Sequence, residues 1–338
     1  MNSPKITVVT PSLNQGRYLE STICSILEQR YPNLEYLIID GGSRDDSIEI
    51  IKRYERHISY WISEEDGGQS EAINKGLSRA TGDIITWVNS DDMLQPGILS
   101  KIPSYFDRDD IGLVFGRSIS FGDNVIERIS SSDIVDIGAK TLGSVAFPQP
   151  AAFFRRSILR ELGYLDESLH YGMDYDLFVR IALNYEIRPV NEVVSRNRYH
   201  SESKSVSKVF GFAADWAKVF SKVLRSFDFT DEIVSELKDL GIYHDGTDYY
   251  EVCREFDDSD IQRAYVYFLQ EQAQLYYGAY RMDQAKAIVK RIKQLDSNIY
   301  DEYGLAAIYI RSSYVPISLL RFAKRLRSIL RRQKQYGW

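Results

Sequence analysis

Short β-branched runs alternate with amphipathic stretches over the first 120 residues. Ile6 to Val9, Tyr36 to Ile39, Tyr60 to Ile62, Ile84 to Val88 and Leu113 to Phe115 are bounded by polar or turn-forming residues and predict strands. Between the first two, Tyr18, Ile23, Ile26 and Leu27 recur at helical spacing. Further helices are expected to begin near Asp45, after Gly67-Gly68 and near Gln95-Pro96. Strands separated by helices predict an α/β domain with a largely parallel sheet, whose ligands lie beyond the strand ends.

Residues 120 to 200 are less regular. A β segment is expected around Val125 to Arg128, a loop through Phe147-Pro148-Gln149-Pro150, and a helix from Tyr175 to Asn184. From about Val209 the pattern is almost wholly helical. Ala273 to Leu295 has the spacing of one helical hairpin, similar to a single tetratricopeptide-like unit, and a single unit predicts an appendage rather than a solenoid. The expected division is an α/β domain over residues 1–207 and a helical accessory region over 208–338.

Composition narrows the function classes. The chain has 338 residues, 44% hydrophobic and 27% charged, a globular composition with room for one large domain and a smaller one. Its first residues lack the basic start and apolar block of a secretory signal, which makes the cytoplasm the expected compartment. Cys24 and Cys253, both in stretches that read as helix, form no metal-binding spacing and are expected to be reduced core residues. The net charge of −6 is uneven: residues 303–338 carry eight Lys and Arg and no acid, so the preceding 302 residues sum to −14. Such an acidic surface excludes nucleic acid as the expected partner.

Polar clusters follow the predicted strands. Thr10-Pro11-Ser12-Leu13-Asn14 ends the first, and Asp40-Gly41-Gly42-Ser43-Arg44-Asp45 ends the second. Such loops can surround a nucleoside, with glycine admitting close approach, or serve equally as a turn with a helix cap. The fourth strand runs into Asn89-Ser90-Asp91-Asp92. Adjacent carboxylates at a strand end repel one another and lose hydration. A divalent cation such as Mn²⁺ or Mg²⁺ compensates for both, with water and substrate phosphates completing its shell. A solvated helix cap is the alternative.

Four blocks, Val8 to Asn14, Ile39 to Asp45, Asp66-Gly67-Gly68-Gln69 to Asn74-Lys75-Gly76, and Asn89 to Asp92, occur in the order and spacing of family 2 glycosyltransferases of the bacterial polysaccharide type. The resemblance spans roughly residues 4 to 205 and implies a GT-A fold, Rossmann-like with a mostly parallel central sheet. It implies an inverting, metal-dependent transfer of a sugar from a nucleoside diphosphate to a hydroxyl acceptor. Pro11, Ser12, Asn14, Asp40, Gly42, Asp66, Gln69, Asn74 and Asp91 would bind the nucleotide sugar, and Asp92 the metal. Asp174, in Tyr171-Gly172-Met173-Asp174-Tyr175-Asp176, matches the family's catalytic base. His200, in Arg198-Tyr199-His200, matches a closing loop in which a histidine reaches the metal or diphosphate; Arg198 or Lys204 could add phosphate charge. Many relatives carry an aromatic residue where Leu13 stands and a second aspartate where Gly41 stands. These departures leave the base open; the resemblance implies a uridine or thymidine diphosphate sugar as donor, with a guanosine donor less favoured.

After Pro316, Leu319, Phe322, Leu326, Ile329 and Leu330 form an apolar stripe among Arg321, Lys324, Arg325, Arg327, Arg331 and Arg332. Such a helix suits an anionic membrane surface and a lipid-linked saccharide acceptor, or packing on the acidic body or in a homodimer. A dehydrogenase would need G-x-G-x-x-G where Thr10 to Gly16 stands, and the missing glycine-rich loop also argues against a sugar nucleotidyltransferase. The remaining alternative is a non-catalytic scaffold, against which the joint presence of Asp91, Asp92, Asp174 and His200 speaks.

Overall fold

The computed structural model describes residues 3–323 except 124, 132, 133, 135, 201, 202 and 204–208. Strands β1 (Ile6–Ser12), β2 (Leu34–Asp40), β3 (Tyr60–Ser63) and β4 (Ile84–Trp87) pair in parallel in the order β3-β2-β1-β4. Their period-2 alternation sends Ile6, Val8, Tyr36 and Ile38 to one face, where they meet α1 (Gly16–Leu27) and α2 (Ser47–Tyr54). Val9, Leu37 and Ile39 point to the other face, against α3 (Gln69–Arg79). Burial on both faces explains why these strands read as continuous apolar runs. Helix α3 seats closely on β1 only because residue 76 is glycine, since a Cβ there would lie 2.3 Å from Val9 Cγ1.

Beyond β4 the sheet is mixed. It continues through β8 (Ala152–Arg155), β6 (Ile111–Gly122), β9 (Glu186–Tyr199) and β5 (Met93–Leu94), with β7 (Arg128–Ile129) on β6. Strands β8 and β5 run antiparallel to their neighbours, while β9 runs parallel to β6. The helix expected near Gln95 is replaced by β5 and two 3₁₀ turns, Ile98–Ser100 and Ile102–Tyr105, entered through Gly97 at φ +74°. Strand pairing expected from Val125 begins only at Arg128. Cys24 is half-buried in α1, but Cys253 lies exposed in a loop, contrary to its expected place in a helical core.

Further helices among the described residues include α4 (Ile137–Gly143), α5 (Ser157–Glu161), α6 (Met173–Asn184), α7 (Val209–Arg225), α8 (Asp231–Asp239), α9 (Asp258–Gly278), α10 (Met282–Leu295), α11 (Ser297–Glu302) and α12 (Leu305–Tyr314). Helices α9 and α10 form the expected hairpin. One apolar cluster runs from Val9 and Trp87 through Leu142 and Phe178 to Phe220, Phe268 and Ile292. Helix α4 crosses α9 at backbone distance, where a Cβ on Gly143 would lie 2.1 Å from the Ala264 carbonyl oxygen. The two expected regions thus share a continuous core, and the expected boundary at 207 and 208 lies outside the described residues. Among the described residues no helix is long and apolar enough to cross a membrane.

A buried polar knot fixes the start of the sheet. Burial works against the charge of Glu35. Hydrogen bonds from Thr7 Oγ1 (2.6 Å), the Thr81 amide (2.7 Å) and Thr81 Oγ1 (2.6 Å), with Lys5 Nζ 3.0 Å away, nevertheless lower its pKa from 4.5 to about 2. The folded state therefore holds this proton less tightly than the unfolded chain. Its contribution is complete above about pH 5 and is lost as the pH falls toward 2. Glu35→Gln is expected to lower stability by about 1–2 kcal/mol at pH 7. In urea titrations at several pH values the deficit should shrink between pH 5 and 3; a constant deficit would contradict the assignment.

Candidate functional site

A cleft of about 820 Å³ opens beyond the ends of β1 and β4. The first loop brings Pro11, Ser12, Leu13 and Gln15 to it. Ser12 is buried and its Oγ has no protein partner, leaving a donor and acceptor for a ligand. Asn14, at φ 53°, ties this loop to the next: its amide donates to Ser43 Oγ (2.7 Å) and its Oδ1 accepts from the Arg44 amide (2.8 Å).

Asp40 is fully buried. It accepts from the amides of Gly42 (3.1 Å) and Ser43 (2.8 Å) and from the hydroxyls of Ser43 (2.6 Å) and Ser63 (2.7 Å). Its four bonds shape the turn in which Gly42 takes φ +81°. Neither Asn14, Asp40, Gly42 nor Asn74 lines the cleft. Asn74 clamps the segment before α6, donating to the Leu165 carbonyl (2.9 Å) and Glu167 Oε1 (2.9 Å) and accepting from the Leu165 amide (3.0 Å).

Asp66 does line the cleft. Burial pushes its pKa up, and the nearby acids Glu71 and Asp40 add to this against the Gly68 amide and Lys75. A Cβ on Gly41 would lie 2.6 Å from Asp66 Oδ2. Glycine at 41 thus gives the Asp66 carboxylate its place, and a side chain at 41 would require that carboxylate to shift.

The turn after β4 is held from several sides. Thr22 Oγ1, on α1, lies 2.9 and 2.7 Å from the carbonyl oxygens of Ser90 and Asp92. Asn89 accepts from Gln69 Nε2 (2.8 Å) and donates toward Asp92 Oδ2 and Gln149 Oε1, each at 3.4 Å. Asp92 is 2% exposed; burial, then the charge of Asp91, raises its pKa well above the carboxylate range. Asp91 is more open, and its Oδ2 lies 3.0 Å from His200 Nε2.

Strand β9 brings the closing residues to this turn. Pairing of Met93 with Arg196 and of Leu94 with Ser195 directly follows the aspartate pair. The Arg198 amide then donates to Asp92 Oδ1 (2.8 Å), and its Nε to the Asp91 carbonyl (2.9 Å). The Arg198 guanidinium lies over the rings of Tyr18 (4.8 Å) and Phe121 (4.5 Å), and the His200 ring packs on Tyr18 at 4.7 Å. Lys204 lies outside the described residues.

Asp174 occupies the first turn of α6, half-buried on the cleft wall, with its Oδ1 accepting from the Tyr175 amide (2.8 Å). Asp176 is held elsewhere, between Arg180 (2.7 Å) and the Tyr250 hydroxyl (2.6 Å). The cleft therefore gathers Pro11, Ser12, Asp66, Gln69, Asp91, Asp92, Asp174 and His200. It also receives Gln149, whose Nε2 donates to the Trp87 carbonyl (2.8 Å), and Phe212, Trp216 and Leu275 from the helical region. The stretch from Phe147 to Pro150, expected as a loop, lies on the cleft wall. No local pattern marks the three helical residues as cleft-facing, because their apolar spacing is that of any packed helix.

The family model for glycosyl transferase family 2 matches residues 7–163, the segment that builds this side of the cleft. Residues 7–163 belong to glycosyl transferase family 2. An uncharacterized glycosyltransferase of Mycobacterium tuberculosis is 28% identical over 187 residues, 54% of this chain and 70% of its own length. Among solved structures the fold recurs across both regions. TarS of S. aureus, residues 1–349 in complex with UDP-GlcNAc, superposes with a TM-score of 0.58 at 17% identity, covering 91% of this chain and 89% of its own. The mannosyltransferase PcManGT of Pyrobaculum calidifontis, in complex with GDP-Man and Mn²⁺, gives 0.55 at 18% identity, covering 93% and 88%. The fold is thus GT-A followed by helices.

Proposed function

We propose that the protein transfers a sugar from a nucleoside diphosphate, a UDP- or dTDP-sugar first among candidates, to a hydroxyl of a saccharide acceptor, with inversion. The observation that carries this reading is the convergence on one cleft of the Asp91-Asp92 turn, the Arg198 to His200 segment and Asp174. Pro11 and Ser12 would contact the nucleoside, with Asp40 and Asn14 keeping their loops in place. Asp91 and Arg198 would address the ribose, sugar or diphosphate.

The residues also fit a divalent cation. Two carboxylates and an imidazole border one part of the cleft, and the buried Asp92 carboxylate gains most from a neighbouring positive charge. Among the described residues no three acidic, histidine or cysteine side chains surround one point. Asp92 and His200 would therefore supply only part of the shell of Mn²⁺ or Mg²⁺. When bound, such an ion neutralises charge on the departing diphosphate. The chain's own chemistry is then a single displacement: Asp174 takes the acceptor hydroxyl's proton as its oxygen bonds to the anomeric carbon, while the bond from that carbon to the diphosphate oxygen breaks. The test is incubation with Mn²⁺ and a panel of nucleotide sugars. Slow release of nucleoside diphosphate from one of them is expected; no release from any donor would defeat the reading and favour a non-catalytic scaffold.

A lipid-linked acceptor, as in cell-surface polysaccharide synthesis, would place the enzyme on the inner face of a membrane. Exposed Tyr314, Leu319 and Phe322, together with the acid-free basic stretch from 303 onward, support this. The stripe from Leu326 onward lies outside the described residues. Vesicles containing anionic lipid should sediment the full chain but not a chain ending at residue 315; equal sedimentation would leave self-packing or a homodimer as the tail's role.

A further inference from the structure

The cleft wall formed by Tyr171, Phe212, Trp216 and Leu275 is given no role in the donor chemistry proposed above. Three of these residues come from α7 and α9, beyond the family 2 segment. Helix α7 also grips the segment that leads into Asp174. The Tyr171 amide donates to Asp215 Oδ2 (2.8 Å), and a Cβ on Gly211 would lie 2.5 Å from the Tyr171 ring. The ring centroids of Tyr171 and Phe212 are 5.2 Å apart, and those of Phe212 and Trp216 6.3 Å. Tyr171 and Phe212 are half-buried, and Trp216 backs them almost completely buried. One helix therefore sets both an aromatic wall and the approach to the proposed base.

A pyranose presents a face of C–H groups ringed by hydroxyls. Aromatic side chains with an apolar body complement that face, and a largely apolar wall with a few polar groups is the usual make-up of a small-ligand site. We propose that the helical region builds the acceptor subsite: Phe212, with Tyr171 and Leu275, takes the apolar face of a pyranose and brings one of its hydroxyls to Asp174. This rests on the glycosyl-transfer reading and assigns acceptor selection to residues outside the family 2 segment.

The test uses the full chain, Mn²⁺ and a donor that the wild type hydrolyses slowly. Release of nucleoside diphosphate is followed with and without methyl pyranosides of the common hexoses and N-acetylhexosamines. At least one glycoside should accelerate wild-type release. Phe212→Ala should raise the KM for that glycoside about tenfold, and Phe212→Tyr should restore it. Unchanged acceleration in Phe212→Ala, or no glycoside that accelerates wild-type release, overturns the proposal while leaving donor chemistry intact. No release by the wild type with any donor defeats the transfer reading and this proposal with it.

Discussion

Asp174→Asn is expected to lower the rate of sugar transfer by about 10²–10⁴-fold, the usual contribution of a positioned general base. The substitution is nearly isosteric, and asparagine retains an oxygen to accept from the Tyr175 amide, as Asp174 Oδ1 does at 2.8 Å. Thermal stability should therefore hold. Asp174 stands at the start of α6, whereas the candidate nucleotide residues come from the loops after β1 and β4, so nucleoside diphosphate affinity should change by less than about threefold. Steady-state transfer assays alongside nucleotide titration separate these effects. A variant keeping more than about a tenth of the activity would remove Asp174 as the base. Asp176 is no substitute, because Arg180 and Tyr250 hold its carboxylate in the core.

Asp92→Asn should make the protein more stable and nearly inactive. The native carboxylate is buried beside Asp91, an arrangement that disfavours its charge; asparagine keeps an oxygen for the Arg198 amide and loses only the long 3.4 Å contact from Asn89 Nδ2. Removing the buried charge should add about 1 kcal/mol, or roughly 1–2 °C in melting temperature measured without divalent cation. Transfer should fall by about 10²–10³-fold as a metal ligand and its electrostatic support of the leaving group are lost. Retained activity in a stabilised variant would contradict the role given to Asp92. A destabilised variant would contradict the account of why this carboxylate is costly.

The parts of this site that could be read from the chain are those written in consecutive residues. The run from Asp83 to Asp92 shows a buried strand ending in two acids, and the loops after β1 and β2 likewise set polar residues at the ends of buried strands. The start of α6 was legible for the same reason, with Asp174 just ahead of a strong apolar stripe. Strand β9 was not. Pro189 and the charged Glu186, Arg188, Glu192, Arg196 and Arg198 interrupt its alternation, and much of it is only half-buried, so burial left a weak imprint. Yet its pairing with β5 is what carries Arg198 and His200 to the aspartate turn.

Contacts between distant residues were equally hidden. That Gly41 makes room for Asp66, or that Asn74 is committed to Leu165 and Glu167 across 91 and 93 residues, follows from packing and not from local pattern. The resemblance assigns Asn74 and Asp40 to the nucleotide, and their hydrogen bonds organise the loops around the site. Position in a motif locates a residue near a site; its hydrogen bonds decide whether a ligand can use it.

The most direct measurement is a calorimetric titration of UDP, dTDP and GDP into the wild type and Asp92→Ala, each with and without Mn²⁺. At least one diphosphate should bind the wild type more tightly by about tenfold or more when Mn²⁺ is present, and Asp92→Ala should lose that difference. Failure of all three to bind the wild type, or binding indifferent to both Mn²⁺ and Asp92, would contradict a metal-assisted nucleotide site in this cleft.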